Sequence, residues 1–143
     1  MNLLFSSIPE EQLLGLALFG EARGEQIEGQ VAVGSVIRNR ARLRKKSYPG
    51  IILAPNQFSC FFQQENLLVA TYNTQGAVLV GIDKKVFQQC LHIARGILNE
   101  LLIDNTKGSD HYCNWQLVRP FWTMKMTKTV TIGNHTFFRS QGK

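Results

Sequence analysis

A single carboxylate stands out in this sequence as a group that could transfer protons. Glu21 follows the apolar residues 16–19 and lies between two glycines, Gly20 and Gly24. Because glycine is unfavourable in a helix interior, this pattern predicts that an apolar helix ends beside Glu21. A carboxylic acid at such an end is shielded on one side by the core and open on the other to a cleft, which suits it to donate a proton. Glu21 is therefore the predicted catalytic residue.

The charged neighbours of Glu21 are predicted to hold the turn rather than to react. Arg23 and Glu25 follow it closely in the sequence, and an ion pair between them would fix the chain between two helices. Glu25 and Glu28 are expected in the first turns of the second helix, where the helix dipole favours negative charge. We therefore predict structural roles near the site for Arg23 and Glu25.

The helix that positions Glu21 is predicted over residues 7–20. A capping-box pattern begins at Ser7 and indicates the start of the helix. Leu14 and Leu18 lie at helical spacing, and Glu21 takes the next position on the same stripe. This register directs the Glu21 side chain towards the buried core.

Most of the remaining chain is also predicted to be helical. Apolar spacing predicts helices over residues 26–44 and 84–102, and residues 128–139 have the pattern of a β-hairpin. Residues 46–62 have the composition of a loop, and residues 73–76 that of a turn between two apolar segments. The predicted fold class is α+β, mainly helical, with a small β-hairpin or sheet.

The composition indicates one globular domain spanning residues 1–143. Hydrophobic residues make up 44% of the chain and charged residues 18%, without repeats or low-complexity tracts. The three cysteines are an odd number, which argues against a disulfide framework and for synthesis in a reducing cytoplasm. Residues 1–20 contain no Lys or Arg and are interrupted by Glu10 and Glu11, so we expect neither a signal peptide nor a spanning helix.

The net charge of +6 is unevenly distributed. Six cations fall within residues 38–46, and no acid follows Asp110. Such a field attracts polyanions, whether nucleic acid, lipid head groups or the anionic bacterial wall. A solvated, cation-rich helix end explains the first cluster equally well. Because aromatic residues do not alternate with these cations, the signal for nucleic acid is electrostatic only.

Motifs along nearly the entire chain resemble those of the SleB-type cell-wall hydrolases. They are LALFGEARGEQIEGQVAVGSVIRNR at residues 16–40, Gln57-Phe58-Ser59 after Pro55, His111-Tyr112 after Gly108, Phe121-Trp122, and IGNHTFF at residues 132–138. The resemblance implies a lysozyme-like fold and cleavage of the β-1,4 bond between N-acetylmuramic acid and N-acetylglucosamine in peptidoglycan. Members from spore germination act as lytic transglycosylases and phage members as endolysins. The family's essential acid is the first Glu of GEARGE, which is Glu21 here.

The resemblance implies a reaction that needs only one carboxylic acid. Ordinary glycosidases use two carboxylates that flank the scissile bond. In a lytic transglycosylase the C6 hydroxyl of muramic acid attacks C1, helped by the N-acetyl group, and a 1,6-anhydro product forms. Glu21 would protonate the leaving oxygen and then draw the proton from that hydroxyl. No metal or cofactor is implied.

Six further residues are candidates for contact with the glycan. Amide and hydroxyl groups suit N-acetyl and sugar hydroxyl recognition, and aromatic faces pack against sugar rings. The alternative is a loop whose polar groups satisfy its own backbone. The candidates are Gln57, Phe58, Ser59, Tyr112, Asn114 and Trp115, with packing expected for Trp122 and hydrogen bonding within the fold for His135.

Other functions are also compatible with the sequence. His111 and Cys113, with His92 and His135, could indicate a zinc amidase, although their spacing fits no standard zinc pattern. Hydrolysis by a muramidase is a second alternative. A basic protein that binds the wall or nucleic acid, and an inactive virion component, are the alternatives that are not enzymes.

The resemblance and the lack of an export signal favour a phage or prophage endolysin. Such an enzyme is made in the cytoplasm of the host bacterium and acts on the wall after the membrane is permeabilised; association with the virion is the alternative location. The expected partner is the glycan strand of peptidoglycan. We expect a monomer that binds no nucleic acid and does not insert stably into a membrane.

Overall fold

The helix that carries Glu21 lies at the centre of the core. The computed structural model describes residues 3–55 and 57–140. Helix α2 (Glu10–Ala22) is buried throughout residues 13–19, which present no charged or polar side chain on any face. A helix of this kind is stable only where neighbouring elements cover every side. Five other helices contact α2 and provide that cover.

The other elements surround α2 or form one small sheet. The helices are α1 (Leu3–Ser7), α3 (Ile27–Arg44), α4 (Tyr48–Ile52), α5 (Cys60–Gln63), α6 (Glu65–Thr74) and α7 (Ile82–Leu98); the strands are β1 (His111–Cys113), β2 (Met126–Ile132) and β3 (His135–Ser140), with a 3-10 helix at Phe121–Lys125. This architecture confirms the predicted fold class. None of the helices in the described ranges is long and apolar enough to cross a membrane.

The predicted start of α2 is wrong. Ser7 does not cap it but ends α1, where its hydroxyl donates to the Leu4 carbonyl at 2.7 Å. Helix α2 begins at Glu10, directly after Pro9. Proline lacks an N–H and has a fixed φ, so it separates the two helices and offers its carbonyl to Leu13 at 2.9 Å. The capping-box pattern therefore falls across a helix break.

Helix α2 also continues past the predicted end at residue 20 and reaches Ala22. Gly20 lies within the helix, and a Cβ at this position would be 2.6 Å from both Cβ and Sγ of Cys60. Its lack of a side chain therefore permits close contact with the start of α5 rather than ending the helix. This contact brings the Cys60 backbone next to Glu21.

Two further helices match their predictions to different extents. Helix α3, at Ile27–Arg44, confirms the prediction over residues 26–44. Helix α7 ends at Leu98, four residues before the predicted end at residue 102. The chain turns there, and Leu102 folds back onto Gly96, where a Cβ would be 2.7 Å from Leu102 Cγ. The apolar spacing of residues 99–102 therefore reflects packing after a turn.

The stretch predicted as a loop contains two short helices. Helix α4 is capped by Ser47, whose hydroxyl accepts from the backbone N–H of Gly50 at 3.1 Å. Helix α5 follows at Cys60, so the loop prediction for residues 46–62 is only partly correct. The predicted turn at residues 73–76 is correct only for its second half: α6 continues to Thr74, and Gln75 and Gly76 turn with φ values of 51° and 86°.

The sheet has three antiparallel strands in the order β1-β3-β2. Strands β2 and β3 form the predicted hairpin, whereas β1 was not predicted because it is only three residues long. Phe137 of β3 is fully buried against Ala32 and Val36, which attaches the sheet to α3. Tyr112 of β1 pairs in register with Phe137, so the sheet brings Tyr112 to the helical core.

The cationic run at residues 38–46 is less exposed than its sequence suggests. Arg38 and Arg40 are buried, with exposed fractions of 5% and 6%. Arg38 donates to the Leu102 carbonyl at 3.0 Å, and Arg40 belongs to the site described below. The cations of this run that do face solvent are Arg42, Arg44, Lys45 and Lys46.

Candidate active site

Glu21 lies in the last turn of α2, half-buried, at the wall of an open cleft. The cleft has a volume of about 720 Å³. Its walls come from the end of α2, from the chain between α4 and α5, and from the starts of α5 and α6. The lining residues are Glu21, Ile52, Ala54, Pro55, Gln57, Phe58, Ser59, Phe61, Phe62 and Glu65.

Two hydrogen bonds hold the Glu21 carboxylate in position. Its Oε1 accepts from the Tyr112 hydroxyl at 2.8 Å, and its Oε2 accepts from the backbone N–H of Cys60 at 3.3 Å. The first donor is 91 residues away along the chain and the second 39. The fold therefore delivers one donor to each carboxylate oxygen and leaves the group at the edge of the cleft.

Tyr112 keeps its proton and acts as a donor to Glu21. Burial raises the pKa of Tyr112 well above its ordinary value, and the charge of Glu21 and the hydrogen bond to it raise this pKa further. The ring packs edge-on against His135, with centroids 4.9 Å apart, and lies tilted against Phe137, with centroids 5.7 Å apart. These contacts fix the direction of the hydroxyl.

His135 supports Tyr112 as a neutral ring. Burial lowers the pKa of His135, while the negative charges of Glu25 and Glu21 oppose that shift. The Nδ1 atom is buried and has no hydrogen-bond partner among the described residues. The hydrogen bonding within the fold expected for His135 is thus not made by this nitrogen, and the observed role of the ring is packing.

The structure places Gln57, Phe58 and Ser59 in the cleft with Glu21. Phe58 is buried and forms part of its floor, whereas Gln57 and Ser59 are exposed. Gln57 Oε1 accepts from the Arg40 guanidinium at 3.2 Å. The segment is therefore tied to α3 and does not only satisfy its own backbone.

Arg40 is a site residue that the sequence-based prediction missed. Its Nε donates to the Asp110 carbonyl at 2.6 Å, and its guanidinium carbon lies 5.3 Å from the centre of the Phe58 ring. Burial lowers the pKa of Arg40, whereas the charges of Asp110 and Glu21 oppose that shift. The available signal was its place at the end of the VIRNR motif, but its membership of a cationic run hid it.

Asn114 and Trp115 are not brought to this cleft. The Trp115 ring packs edge-on against Phe138 at 5.5 Å, and Arg119 Cζ and Lys128 Nζ lie 3.9 and 4.7 Å from its centre. Asn114 accepts from the backbone N–H of Gln116 at 3.2 Å, as part of a local turn. Local contacts therefore hold both residues away from the lining of the Glu21 cleft, and their contact with glycan stays a prediction. Trp122 packs on Phe138, as expected.

The predicted ion pair between Arg23 and Glu25 is also wrong for the described structure. Arg23 turns towards α6 and donates to Gln64 Oε1 at 3.0 Å. Glu25 instead accepts two hydrogen bonds from Asn134, from its backbone N–H at 3.1 Å and from its side-chain amide at 2.9 Å. Both residues do brace the surroundings of Glu21, but each does so with a distant partner.

Two cleft residues carry chemistry that the sequence-based prediction did not consider. Phe62 is 85% exposed although it is aromatic and lines the cleft. Aromatic faces exposed in a cleft suit the apolar face of a sugar ring. Glu65 is the second acid in the cleft wall. An exposed aromatic residue cannot be told from a core residue by sequence alone, which is why Phe62 was missed.

The described residues do not form a metal site. Across residues 3–55 and 57–140, no three His, Cys, Asp or Glu side chains are grouped so that they could share a metal ion. His111 Nδ1 lies 3.2 Å from Asp110 Oδ1, and the His111 ring packs on Trp122. The side chains suggested for a zinc amidase therefore have other neighbours.

The sequence and the fold are those of a cell wall hydrolase domain. The sequence pattern of the Cell Wall Hydrolase family matches residues 24–138, so the chain belongs to this family. The match begins after Glu21, and the assignment of Glu21 therefore rests on its geometry and on the GEARGE motif.

Similar proteins include the spore cortex-lytic enzymes of Bacillus and related genera. The Bacillus cereus enzyme is 37% identical over 130 residues, covering 88% of this chain and 42% of that enzyme. The Halalkalibacterium halodurans enzyme is 28% identical over 130 residues, covering 88% of this chain and 33% of that enzyme. The chain thus spans about a third to two fifths of the length of these relatives.

Two solved structures share the fold. The catalytic domain of the germination-specific lytic transglycosylase SleB from Bacillus anthracis has a TM-score of 0.65 and 24% identity, with 91% of this chain and 93% of that domain covered. The catalytic domain of Bacillus cereus SleB has a TM-score of 0.59 and 26% identity, with coverage of 91% and 89%. This chain therefore corresponds to nearly the whole of each catalytic domain.

Proposed function

We propose that this protein cleaves peptidoglycan glycan strands between N-acetylmuramic acid and N-acetylglucosamine, as a lytic transglycosylase. The observation that carries the proposal is Glu21, a carboxylate held by one donor on each oxygen at the wall of a cleft. Family membership and the fold shared with the catalytic domain of Bacillus anthracis SleB, a germination-specific lytic transglycosylase, support the same reaction.

In the proposed first half of the reaction, Glu21 is a general acid. It donates its proton to the glycosidic oxygen as the bond to C1 of muramic acid breaks. The product sugar leaves with that proton, and Glu21 becomes a carboxylate. Tyr112 and the Cys60 N–H then each donate to a charged oxygen, and hydrogen bonds of this kind are stronger than neutral ones.

In the second half, Glu21 is a general base. The muramic acid C6 hydroxyl attacks C1 of the same sugar, and Glu21 takes the hydroxyl proton. A 1,6-anhydro ring forms, Glu21 returns to its acid form, and no water is consumed. One carboxylate therefore completes the cycle.

Hydrolysis is the second candidate, and Glu65 is the observation that favours it. A hydrolytic muramidase requires a second carboxylate as base or nucleophile, and Glu65 lines the same cleft. The two candidates differ in whether water enters the product. They also differ in whether Glu65 is required.

Release of soluble fragments from purified peptidoglycan tests the proposal. We expect Glu21→Gln to lose activity by several orders of magnitude, because the amide cannot supply the proton. Glu65→Gln should keep most activity under transglycosylation and lose it under hydrolysis. Glu28→Gln is the matched control, since Glu28 is exposed and does not line this cleft. Full activity of Glu21→Gln would contradict both candidates.

We further propose that the protein is a phage or prophage endolysin that acts as a monomer. The net charge of +6 and the exposed cations at the end of α3 support attraction to an anionic envelope. Produced inside a bacterium, the protein should lyse cells only after a separate agent opens the membrane. Survival of permeabilised cells that contain active enzyme would contradict the proposed role as an endolysin.

A further inference from the structure

We propose that Arg40 fixes the orientation of the Gln57 amide, so that the cleft presents an N–H₂ donor that recognises the acetamido carbonyl of the bound glycan. This inference rests on the proposed function, because it assigns a binding role within the same cleft. It makes Arg40 a positioning residue and Gln57 the group that determines specificity.

The orientation follows from the donor and acceptor chemistry of the pair. An arginine guanidinium carries five N–H donors and no acceptor. Arg40 Nη1 lies 3.2 Å from the Gln57 amide, so the atom facing it must be the carbonyl oxygen, Oε1. The amide nitrogen, Nε2, is then directed away from Arg40. It has no hydrogen-bond partner among the described residues.

Arg40 is itself held firmly enough to impose this orientation. It is 6% exposed, and its Nε donates to the Asp110 carbonyl at 2.6 Å. Its guanidinium also lies over the Phe58 ring, 5.3 Å from the centre. Gln57, by contrast, is exposed and lines the cleft. A buried, hydrogen-bonded cation thus orients an amide at the surface.

The same arginine joins the two sides of the site. Asp110, which it binds on one side, lies two residues before Tyr112, the donor to Glu21. Gln57, which it binds on the other side, belongs to the cleft wall. One side chain therefore links the recognition amide to the chain segment that carries the Tyr112 donor to Glu21.

The surroundings of Gln57 suit an acetamido group in particular. This group has a methyl, a carbonyl acceptor and an N–H donor. Ala54 and Pro55 offer apolar surface to the methyl, and the exposed Ser59 hydroxyl can accept from the N–H. The Gln57 Nε2 supplies the donor that the carbonyl needs. The lactyl carboxylate of muramic acid is the other acceptor that peptidoglycan offers, and the experiment separates the two.

Gln57→Glu is the decisive substitution. A glutamate of nearly equal size keeps an oxygen facing Arg40 and gains an ion pair with it, but it replaces the donor in the cleft by a charged acceptor. Binding is measured by calorimetry in the inactive Glu21→Gln background, with N-acetylated glycan fragments and with the same fragments after chemical N-deacetylation. Gln116→Glu, an exposed amide outside the cleft, is the control.

The expected result is a reversal of preference. The protein with Gln57 should bind acetylated fragments roughly tenfold better than the variant does, which corresponds to one hydrogen bond. The variant should bind deacetylated fragments, which carry an ammonium group, better than acetylated ones. Gln116→Glu should bind as its parent does. In the active enzyme, Gln57→Glu should raise KM with little change in kcat.

Two outcomes would overturn the inference. One is equal binding of acetylated fragments by Gln57→Glu and its parent, at an unchanged unfolding temperature. The other is a loss that is the same for acetylated and deacetylated fragments, which would assign the contact to the lactyl carboxylate. Failure of the proposed reaction is distinguishable, because it would appear as a wild-type enzyme that binds acetylated glycan without cleaving it.

Discussion

The Tyr112 hydroxyl donates to Glu21 Oε1 at 2.8 Å, and this hydrogen bond joins the sheet to the central helix at the point where the proposed chemistry occurs. Tyr112 belongs to a strand of only three residues, yet its ring is fixed by His135 and Phe137. The sheet can therefore be understood as the support for one donor.

Tyr112→Phe should remove that donor while keeping the ring in place. A hydrogen bond to a charged group contributes roughly 1.5–3 kcal/mol, so we expect peptidoglycan cleavage to fall by about tenfold to a hundredfold. Tyr72→Phe, on α6 and away from Glu21, is the matched control. Unchanged activity of Tyr112→Phe would show that the hydrogen bond has no part in the reaction.

Gly20→Ala should disturb the second donor to Glu21. The added Cβ would lie 2.6 Å from Cys60, whose N–H donates to Glu21 Oε2. Overpacking of this kind costs about 1–3 kcal/mol, and we expect that loss in the free energy of unfolding together with lower activity. Gly24→Ala is the control, since a Cβ at Gly24 would meet no atom within 4 Å. Equal stability of the two variants in chemical denaturation would contradict the role assigned to Gly20.

Asn134→Asp should break the contact between Glu25 and Asn134, and adding Glu25→Gln should restore it. Asn134→Asp would place two carboxylates face to face and lower the free energy of unfolding by about 1 kcal/mol. Adding Glu25→Gln should restore both hydrogen bonds, because the new amide oxygen accepts from the backbone N–H and the new amide nitrogen donates to the carboxylate introduced at position 134. Thermal unfolding of the two single variants and the double variant measures this coupling, and simple additivity would contradict it.

His135 should make the protein less stable as the pH falls below neutrality. Burial holds its pKa below the ordinary value of 6.5, so the unfolded chain binds a proton more readily than the folded one. The contribution of His135 is therefore complete above about pH 6.5 and is lost as the pH falls through the folded pKa. His135→Gln should flatten this part of the stability curve. A curve that is already flat between pH 7 and pH 5 in the unmodified protein would contradict the assignment.

Asp110 should add a second loss of stability at lower pH. Burial alone would raise the pKa of this carboxyl, but hydrogen bonds with His111 and Ser140 hold it below its usual value of 3.8. Its contribution is therefore present above about pH 3.8 and is lost as acid brings the pH down through the folded pKa. The predicted measurement is a further decline in the free energy of unfolding in acid, which Asp110→Asn should reduce. An unchanged decline in that variant would contradict this assignment.

The elements predicted best from the sequence are those that depend on local sequence pattern. The apolar stripe through Leu14 and Leu18 indicated the helix that presents Glu21, and the spacing in residues 26–44 gave α3 almost to the residue. The hairpin at residues 128–139 was also evident, because a turn at Gly133 separates two alternating segments. These features depend on neighbours in the chain.

The partners of Glu21 could not be predicted in the same way. Glycan contact stays a prediction for Tyr112, but nothing in the sequence indicated that its hydroxyl donates to Glu21 across 91 residues. Arg40 was one cation in a run, and only the packing of α3 against Phe58 and Asp110 reveals that it is buried. The Arg23 and Glu25 ion pair was proposed from proximity in sequence, but each side chain found a better-placed partner from another element.

The most direct test of the central claim is mass spectrometry of the glycan ends released from purified peptidoglycan in water enriched with heavy oxygen. We predict 1,6-anhydro-muramyl ends that are one water lighter than reducing ends and carry no heavy oxygen, and their disappearance with Glu21→Gln. Reducing muramic acid ends that carry heavy oxygen would contradict transglycosylation and direct attention to Glu65, whereas intact glycan with freed peptides would contradict a glycosidase altogether.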